Sequence, residues 1–241
     1  MFISCFDLDM DTVRRILESL VSSQENDLFD SFVHRCLAYY DAPVHSIHEM
    51  RSKRNTKVKG DLFEAFCILF LRSKGYTAWL LKEVPEEILT RFGMKRFDVG
   101  IDIIAVKDKT YSAVQCKFKK PRPGFVKGTW LPYNCVNWKE LSTFYSLCQR
   151  TQEKARWEYH IVMTNTKHTR RMGNATRFDK TYAHGSFSSL TRMDYVSFLS
   201  KVPHLHIIVE DEDGNEIPHT KINVTNIQDM REKRLSYFLQ I

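Results

Sequence analysis

Between residues 58 and 74 the apolar side chains Leu62, Phe63, Phe66, Ile68, Leu69, Phe70 and Leu71 cover most of a helix circumference, and Gly75 supplies a left-handed stop. A helix apolar on nearly every side is predicted to be enclosed on nearly every side. The pattern then shortens. Residues 76–84 (YTAWLLKEV) read as a strand, and Pro85-Glu86-Glu87 opens a short helix, with the acids near the positive end of its dipole. After a break at Gly93, residues 100–106 (GIDIIAV), the turn KDKT and residues 111–118 (YSAVQCKF) predict an antiparallel hairpin. The near-continuous apolar run of its first arm implies burial on both faces and a central place in the sheet.

Downstream, Asn137 followed by Glu140 forms an N-cap with a capping-box partner for a helix through Leu141, Phe144, Tyr145 and Cys148, and EYHIVMTN is the next strand. The order from residue 58 to 165 calls for an α/β domain, with helices on both faces of a mixed sheet. Upstream, residues 9–40 predict two short helices, with Val13, Ile16, Leu17 and Leu20 on one apolar face and Leu28, Phe32 and Leu37 on the other. Downstream, LTRMDYVSFLSKV predicts a helix, LHIIVEDEDGNEIPHTKINV a hairpin around Asp213-Gly214-Asn215, and MREKRLSYFLQI a closing helix.

Composition narrows the class. With 241 residues and 43% hydrophobic content the chain can bury a sizeable core, which excludes a disordered or fibrous protein. A net charge of +7 favours an anionic partner. The first twenty residues carry acids where a signal or transit peptide carries bases, and no apolar run reaches membrane-spanning length, so an intracellular protein, cytoplasmic or nuclear, is expected. The six cysteines contain no CxxC and read as reduced, mostly buried residues, and the close pairs His45/His48 and His204/His206 lack a third ligand at metal spacing.

Chemistry gathers on the hairpin. Gln115 and Lys117, two apart on one strand, share a face, while Val114, Cys116 and Phe118 point into the opposite layer. Asp102 stands inside Gly-Ile-Asp-Ile-Ile, where a carboxylate buried without a partner costs several kcal/mol and so needs a cation. The three can converge, with Asp102 and Gln115 offering oxygens to a divalent metal and Lys117 a positive charge near a phosphate. Glu64 lies on an apolar flank of the first core helix, with Gly60 one turn below it.

Basic runs complete the picture. KFKKPRPGFVKGTW leaves the Gln115–Lys117 strand, and NTKHTRRMGNATRF leaves the end of the next. They nominate Lys119, Lys120, Arg122, Lys127, Lys167, Arg170, Arg171 and Arg177 as phosphate contacts. RSKRNTKVK, at residues 51–59, is either a solvated linker, a phosphate-contacting arm or a nuclear address.

The segments GDLFEAF, DVGIDIIAV and SAVQCKF together resemble the PD-(D/E)XK nuclease superfamily, in the Gln-x-Lys version of Mrr-like restriction endonucleases and of nuclease modules that precede some helicases. The resemblance covers residues 57–185. It implies a restriction-endonuclease-like core, residues 56–188, to which the hydrophobic pattern adds a helical N-terminal region at 1–55 and a helix–hairpin–helix extension at 189–241, outside the resemblance. It implies catalytic roles for Glu64, Asp102, Gln115 and Lys117. Mg²⁺, replaceable by Mn²⁺, would be held by Glu64, Asp102, Gln115 and the Cys116 carbonyl. Residue 101 is Ile where the superfamily name has Pro, and Gln115 stands where an acid is usual, which removes one metal-binding charge. The expected activity is metal-dependent DNA endonuclease cleavage, with a helicase or other DNA-processing partner or a homodimer as company and no membrane. An RNA-directed nuclease and a non-catalytic nucleic-acid-binding or assembly module on a nuclease fold are the alternatives. No GxxxxGK[ST] occurs, so this chain carries no helicase motor.

Overall fold

In the computed structural model the described residues are 5–41, 57–120, 135–170 and 179–201. They run α1 (Cys5–Val21), α2 (Leu28–Asp41), α3 (Lys57–Ser73), β1 (Thr77–Leu80), α4 (Glu86–Phe92), β2 (Ile103–Lys107), β3 (Thr110–Lys117), β4 (Cys135–Asn137), α5 (Trp138–Gln152), β5 (Tyr159–Thr164), β6 (His168–Arg170), β7 (Asp179–Tyr182), α6 (His184–Ser188) and α7 (Arg192–Leu199). All of them fall within the first of two compact units, which divide after Pro203. The hairpin and closing helix expected beyond residue 203 lie outside the described residues, as does the basic run through residue 56.

The main sheet has five strands in the order β1-β2-β3-β5-β7. β1, β2 and β3 are antiparallel neighbours, while β3, β5 and β7 run parallel, so the sheet is mixed as the hydrophobic pattern requires. β3 is central. A two-residue turn, Asp108-Lys109, joins β2 to β3 with φ of 50° and 63°, the left-handed pair that matches the twist of a hairpin.

α3 is enclosed because it is sandwiched. One side lies on β1, β2 and β3, the other under α1, α2 and α7. Phe29, Phe32, Phe63, Phe66, Phe187 and Phe198 interlock there, with Phe32 and Phe66 stacked at 4.5 Å between ring centroids. The opposite face of the sheet packs on α4 and α5 through Phe92, Leu141, Phe144 and Trp157. α5 starts where Asn137 accepts from the Glu140 N–H while the Glu140 carboxylate accepts from the Asn137 N–H, the capping box expected from sequence.

Strand alternation follows the burial. Val114 and Cys116 face α3, whereas Ala113 belongs to the layer under α4 and α5. Gln115 and Lys117 therefore share the α4/α5 side of β3. Among the described residues no helix is long and apolar enough to cross a membrane, and Cys36, Cys67, Cys116, Cys135 and Cys148 are free thiols.

Candidate active site

The first half of α3, the carboxyl ends of β1 and β3 and the residues that lead into β2 enclose a cleft of about 410 Å³. Glu64 enters it from α3, Asp102 from the residue preceding β2, and Gln115, Cys116 and Lys117 from the last turn of pleat in β3. All four residues nominated from sequence as catalytic thus line one cavity. They come from both faces of the sheet because α3 covers one face while Gln115 and Lys117 lie on the other.

Asp102 is at the join. Its backbone N–H donates to the Val114 carbonyl at 2.9 Å, and its carbonyl accepts from the Leu81 N–H at 2.8 Å, so both neighbouring strands hold its backbone. The Cys116 N–H donates to Oδ2 at 2.7 Å, and the Gln115 amide donates to the same oxygen. Among the described residues both of these hydrogen bonds go to Oδ2 and none goes to Oδ1. Burial pushes the Asp102 acid up to about 6, against the Cys116 N–H, the Lys117 charge and the Gln115 amide, while the Asp61 carboxylate adds to the rise.

This donor set fits a hard divalent cation. Among the described residues nothing claims the second oxygen of Asp102, and Gln115, having committed its nitrogen, presents Oε1 as its remaining polar atom. N–H and C=O of one strand residue point to the same side, so the Cys116 carbonyl lies on the β2 edge with the Cys116 N–H, beyond the end of the β2 ladder at Ile103. The thiols of Cys67 and Cys116 touch each other behind these oxygens, and burial pushes both upward, so they are neutral.

The cleft also contains residues that motif reading passed over. Asp61 is one turn of α3 before Glu64, and Lys82, Arg96 and Asp98 come from the segments flanking α4. The i, i+3 spacing of Asp61 and Glu64 was the available signal for the first. Arg96 and Asp98 sit in a loop with no periodicity to read.

The basic rim is only partly in view. Lys119 is half-buried, its ammonium paired with Glu140, and its backbone is clamped by Asn165, which accepts from the Lys119 N–H at 2.8 Å and donates to the Lys119 carbonyl at 2.7 Å. Partial burial pushes the Glu140 acid up, but the Lys119 and Asn137 contacts and the nearby Lys117 charge bring it below the usual carboxylate range. Lys120 and Lys167 are exposed. Arg170 ends β6, which pairs in parallel with β4; Arg122, Lys127, Arg171 and Arg177 lie outside the described residues.

A second group of potential ligands lies elsewhere. Asp27, Asp30 and His184 bring one ligand atom each within 4.8 Å of one another, between α2 and α6. Ordinary structure accounts for it: Asp27 caps α2 by accepting from the Asp30 N–H at 3.0 Å, and His184 Nε2 meets Asp30 Oδ1 at 2.6 Å.

A mixed sheet flanked by helices, with Asp and Gln-x-Lys converging at the end of its central hairpin, defines a restriction-endonuclease-like fold. Residues 71–183, just short of half the chain, match the protein-family model described as "Restriction endonuclease", of the Mrr catalytic type. The match is consistent with an Mrr-like PD-(D/E)XK nuclease. The match includes Asp102, Gln115 and Lys117 and begins seven residues after Glu64, whose place in the cleft rests on geometry. No curated protein and no solved structure matches the chain.

Proposed function

We propose that the protein is a divalent-metal-dependent nuclease that hydrolyses the phosphodiester bonds of DNA internally. One observation carries this reading: a half-buried carboxylate, Asp102, is aligned through Oδ2 by the Gln115 amide and the Cys116 N–H, in a cleft that also holds Glu64 and Lys117.

Asp102 Oδ1, Gln115 Oε1, the Cys116 carbonyl and Glu64 are the groups that would hold Mg²⁺ or Mn²⁺. The ion, when bound, lowers the pKa of a coordinated water and neutralises charge on a phosphoryl oxygen. The chain supplies the rest. The Cys116 N–H and the Gln115 amide fix the Asp102 carboxylate in one orientation, so little reorganisation is needed when charge arrives. Lys117 presents an ammonium whose field already reaches Asp102 and Glu140. That same field favours the extra negative charge on a phosphate under attack, worth on the order of a hundred- to thousandfold in rate for a well-placed donor. The neutral thiols behind the site exclude water from that side of the carboxylates.

DNA is favoured because the family description is that of restriction endonucleases and the chain is basic. Incubating the protein with supercoiled, linear and single-stranded DNA and with RNA, each in Mg²⁺, Mn²⁺ or EDTA, tests the reading. Nicking of supercoiled DNA that EDTA abolishes is expected. Binding without cleavage in any metal would replace it by the non-catalytic clamp, and cleavage of RNA alone by an RNA-directed nuclease.

A further inference from the structure

The loop between α4 and β2, residues 93–102, exposes two large apolar side chains, Phe97 at 77% and Val99 at 75%. Such exposure in a slack loop would be unremarked, since its tip could fold back at will. This loop is braced throughout. Met94 and Ile101 are buried at its two ends, and the Met94 N–H donates to the Leu89 carbonyl at 2.9 Å. The Arg96 guanidinium donates to the carbonyls of Lys82 and Val84, both at 2.8 Å, and pairs with Glu86 at 3.1 Å. Asp98 accepts from the Lys95 N–H at 2.8 Å, returns a bond from its own N–H to the Lys95 carbonyl at 3.0 Å, and pairs with Arg150 of α5 at 3.2 Å. Gly100 is wedged against the backbone of Thr143. The tip is thus held out by its neighbours, and its apolar surface stays in water although burying it would be favourable.

Its location says what it meets. Arg96 and Asp98 line the cleft of Asp102, Gln115 and Lys117, and Phe97 and Val99 are their immediate neighbours in the chain, so the tip stands beside the cleft's lining without being part of it. Over one face of the exposed ring stands a cation: Lys95 Nζ is 5.6 Å from the Phe97 centroid. A flat apolar ring with an ammonium over one face and the other face open matches a nucleotide, whose base offers a π-face and whose phosphate offers a charge. A protein interface needs an apolar core of several hundred Å² on each partner, more than two side chains on a turn provide.

We propose that the Phe97–Val99 tip is a nucleobase-binding element: Phe97 stacks on a base next to the phosphate in the cleft, with Val99 packed beside it. This rests on the nuclease reading and names the substrate class: nucleic acid with an unpaired or easily unstacked base at the cutting point, such as a flap, a mismatch or a single-strand junction. A base inside an intact duplex keeps both its stacking faces occupied and must be unstacked first.

The test uses the full chain with Ca²⁺ in place of the catalytic ion, and matched flap and duplex oligonucleotides carrying 2-aminopurine at successive positions around the branch. Wild type is expected to bind the flap about tenfold more tightly than the duplex and to change the 2-aminopurine fluorescence at one or two positions only. Phe97→Ala should remove both effects, costing about tenfold on the flap, or about 1.4 kcal/mol, and less than twofold on the duplex. Phe97→Trp should restore both, and Met193→Ala, an equally exposed residue of α7 outside the cleft, should change neither. Equal losses on flap and duplex, or none, would overturn the proposal. So would sedimentation showing a dimer that Phe97→Ala dissociates, since the tip would then be a protein contact. The nuclease reading fails separately, by absence of metal-dependent cleavage, and a protein that stacks bases without cutting would still meet the first set of outcomes.

Discussion

Gln115 donates its side-chain amide to Oδ2 of Asp102, across the hairpin and thirteen residues away in sequence, so the two side chains form one hydrogen-bonded unit. An ionised carboxylate only accepts, which makes the amide nitrogen the chemically required partner. The Gln at this position therefore does something an acid cannot. Gln115→Glu replaces an attraction by two carboxylates face to face, which hold a shared proton and raise each other's pKa. The acidic limb of the pH profile of cleavage should move upward from that of wild type. Single-turnover cleavage at pH 7 should fall more than tenfold, with activity partly recovered at pH 9. A variant with wild-type rate and profile would show that the amide is not oriented as found.

The raised Asp102 acid sets a pH dependence whose sign can be worked out. Its folded value of about 6 lies above the unfolded value near 3.9. Between the two the folded state holds the proton more tightly than the unfolded state, so this group's contribution to stability declines as pH rises through that window and is least favourable above about 6. Asp102→Asn removes the charge but keeps an acceptor for Cys116 and Gln115. It should raise the melting temperature by a few degrees at pH 7.5, the response of a domain this size to roughly 1–2 kcal/mol, and have no such effect at pH 4. The same substitution should abolish Mn²⁺ binding by calorimetry. In wild type, Mn²⁺ affinity should weaken as pH falls below about 6, because the proton and the ion compete for one carboxylate.

Lys117 acts on that equilibrium through charge. Its ammonium favours ionised Asp102, so Lys117→Ala should shift the acidic limb of metal binding upward while leaving affinity at pH 8 close to wild type, since Lys is no ligand. Cleavage should drop on the order of a hundred- to thousandfold. Loss of metal binding at pH 8 would assign Lys117 to scaffolding of the site instead. Lys117→Met, which keeps the stem, separates the charge from the packing.

Period and caps made much of this molecule legible in advance. The two-residue alternation of β3 put Gln115 and Lys117 on one face, the all-round apolar helix announced a sandwiched α3, and Asn137 with Glu140 marked the start of α5 to the residue. What sequence left open was hydrogen-bond direction and loop placement. Nothing in a Gln-x-Lys spacing says which end of the amide faces Asp102. Lys119 looked like one more rim cation, and only the fold reveals its pairing with Glu140 and the clamp from Asn165, forty-six residues away. Residues 94–99 have neither period, so the bracing of Arg96 and Asp98 depends on partners in three other segments.

Gly100 is where that loop is locked to α5. Its φ of +124° belongs to a region that residues with a Cβ rarely adopt, and a Cβ built there would lie 2.9 Å from the carbonyl carbon and oxygen of Thr143 and 3.0 Å from the Phe144 nitrogen. These are backbone atoms in the middle of a helix, which cannot rotate aside. Gly100→Ala therefore carries both a conformational cost of about 1–3 kcal/mol and an overpacking cost of about 1–3 kcal/mol. Urea denaturation should show a loss of roughly 2–6 kcal/mol, the sum of the two. Asp102 is two residues further on, and its Oδ2 contacts depend on the register of this approach, so cleavage and Mn²⁺ affinity should fall together in whatever fraction remains folded. Gly185→Ala is the control: nothing lies within 4 Å of the added Cβ, and it sits in the short helix α6. That change should leave stability within about 0.5 kcal/mol and leave metal binding untouched. Equal stability of Gly100→Ala and wild type would mean that the loop and α5 do not meet at this distance, and the placement of Asp102 beside Gln115 would lose one of its supports.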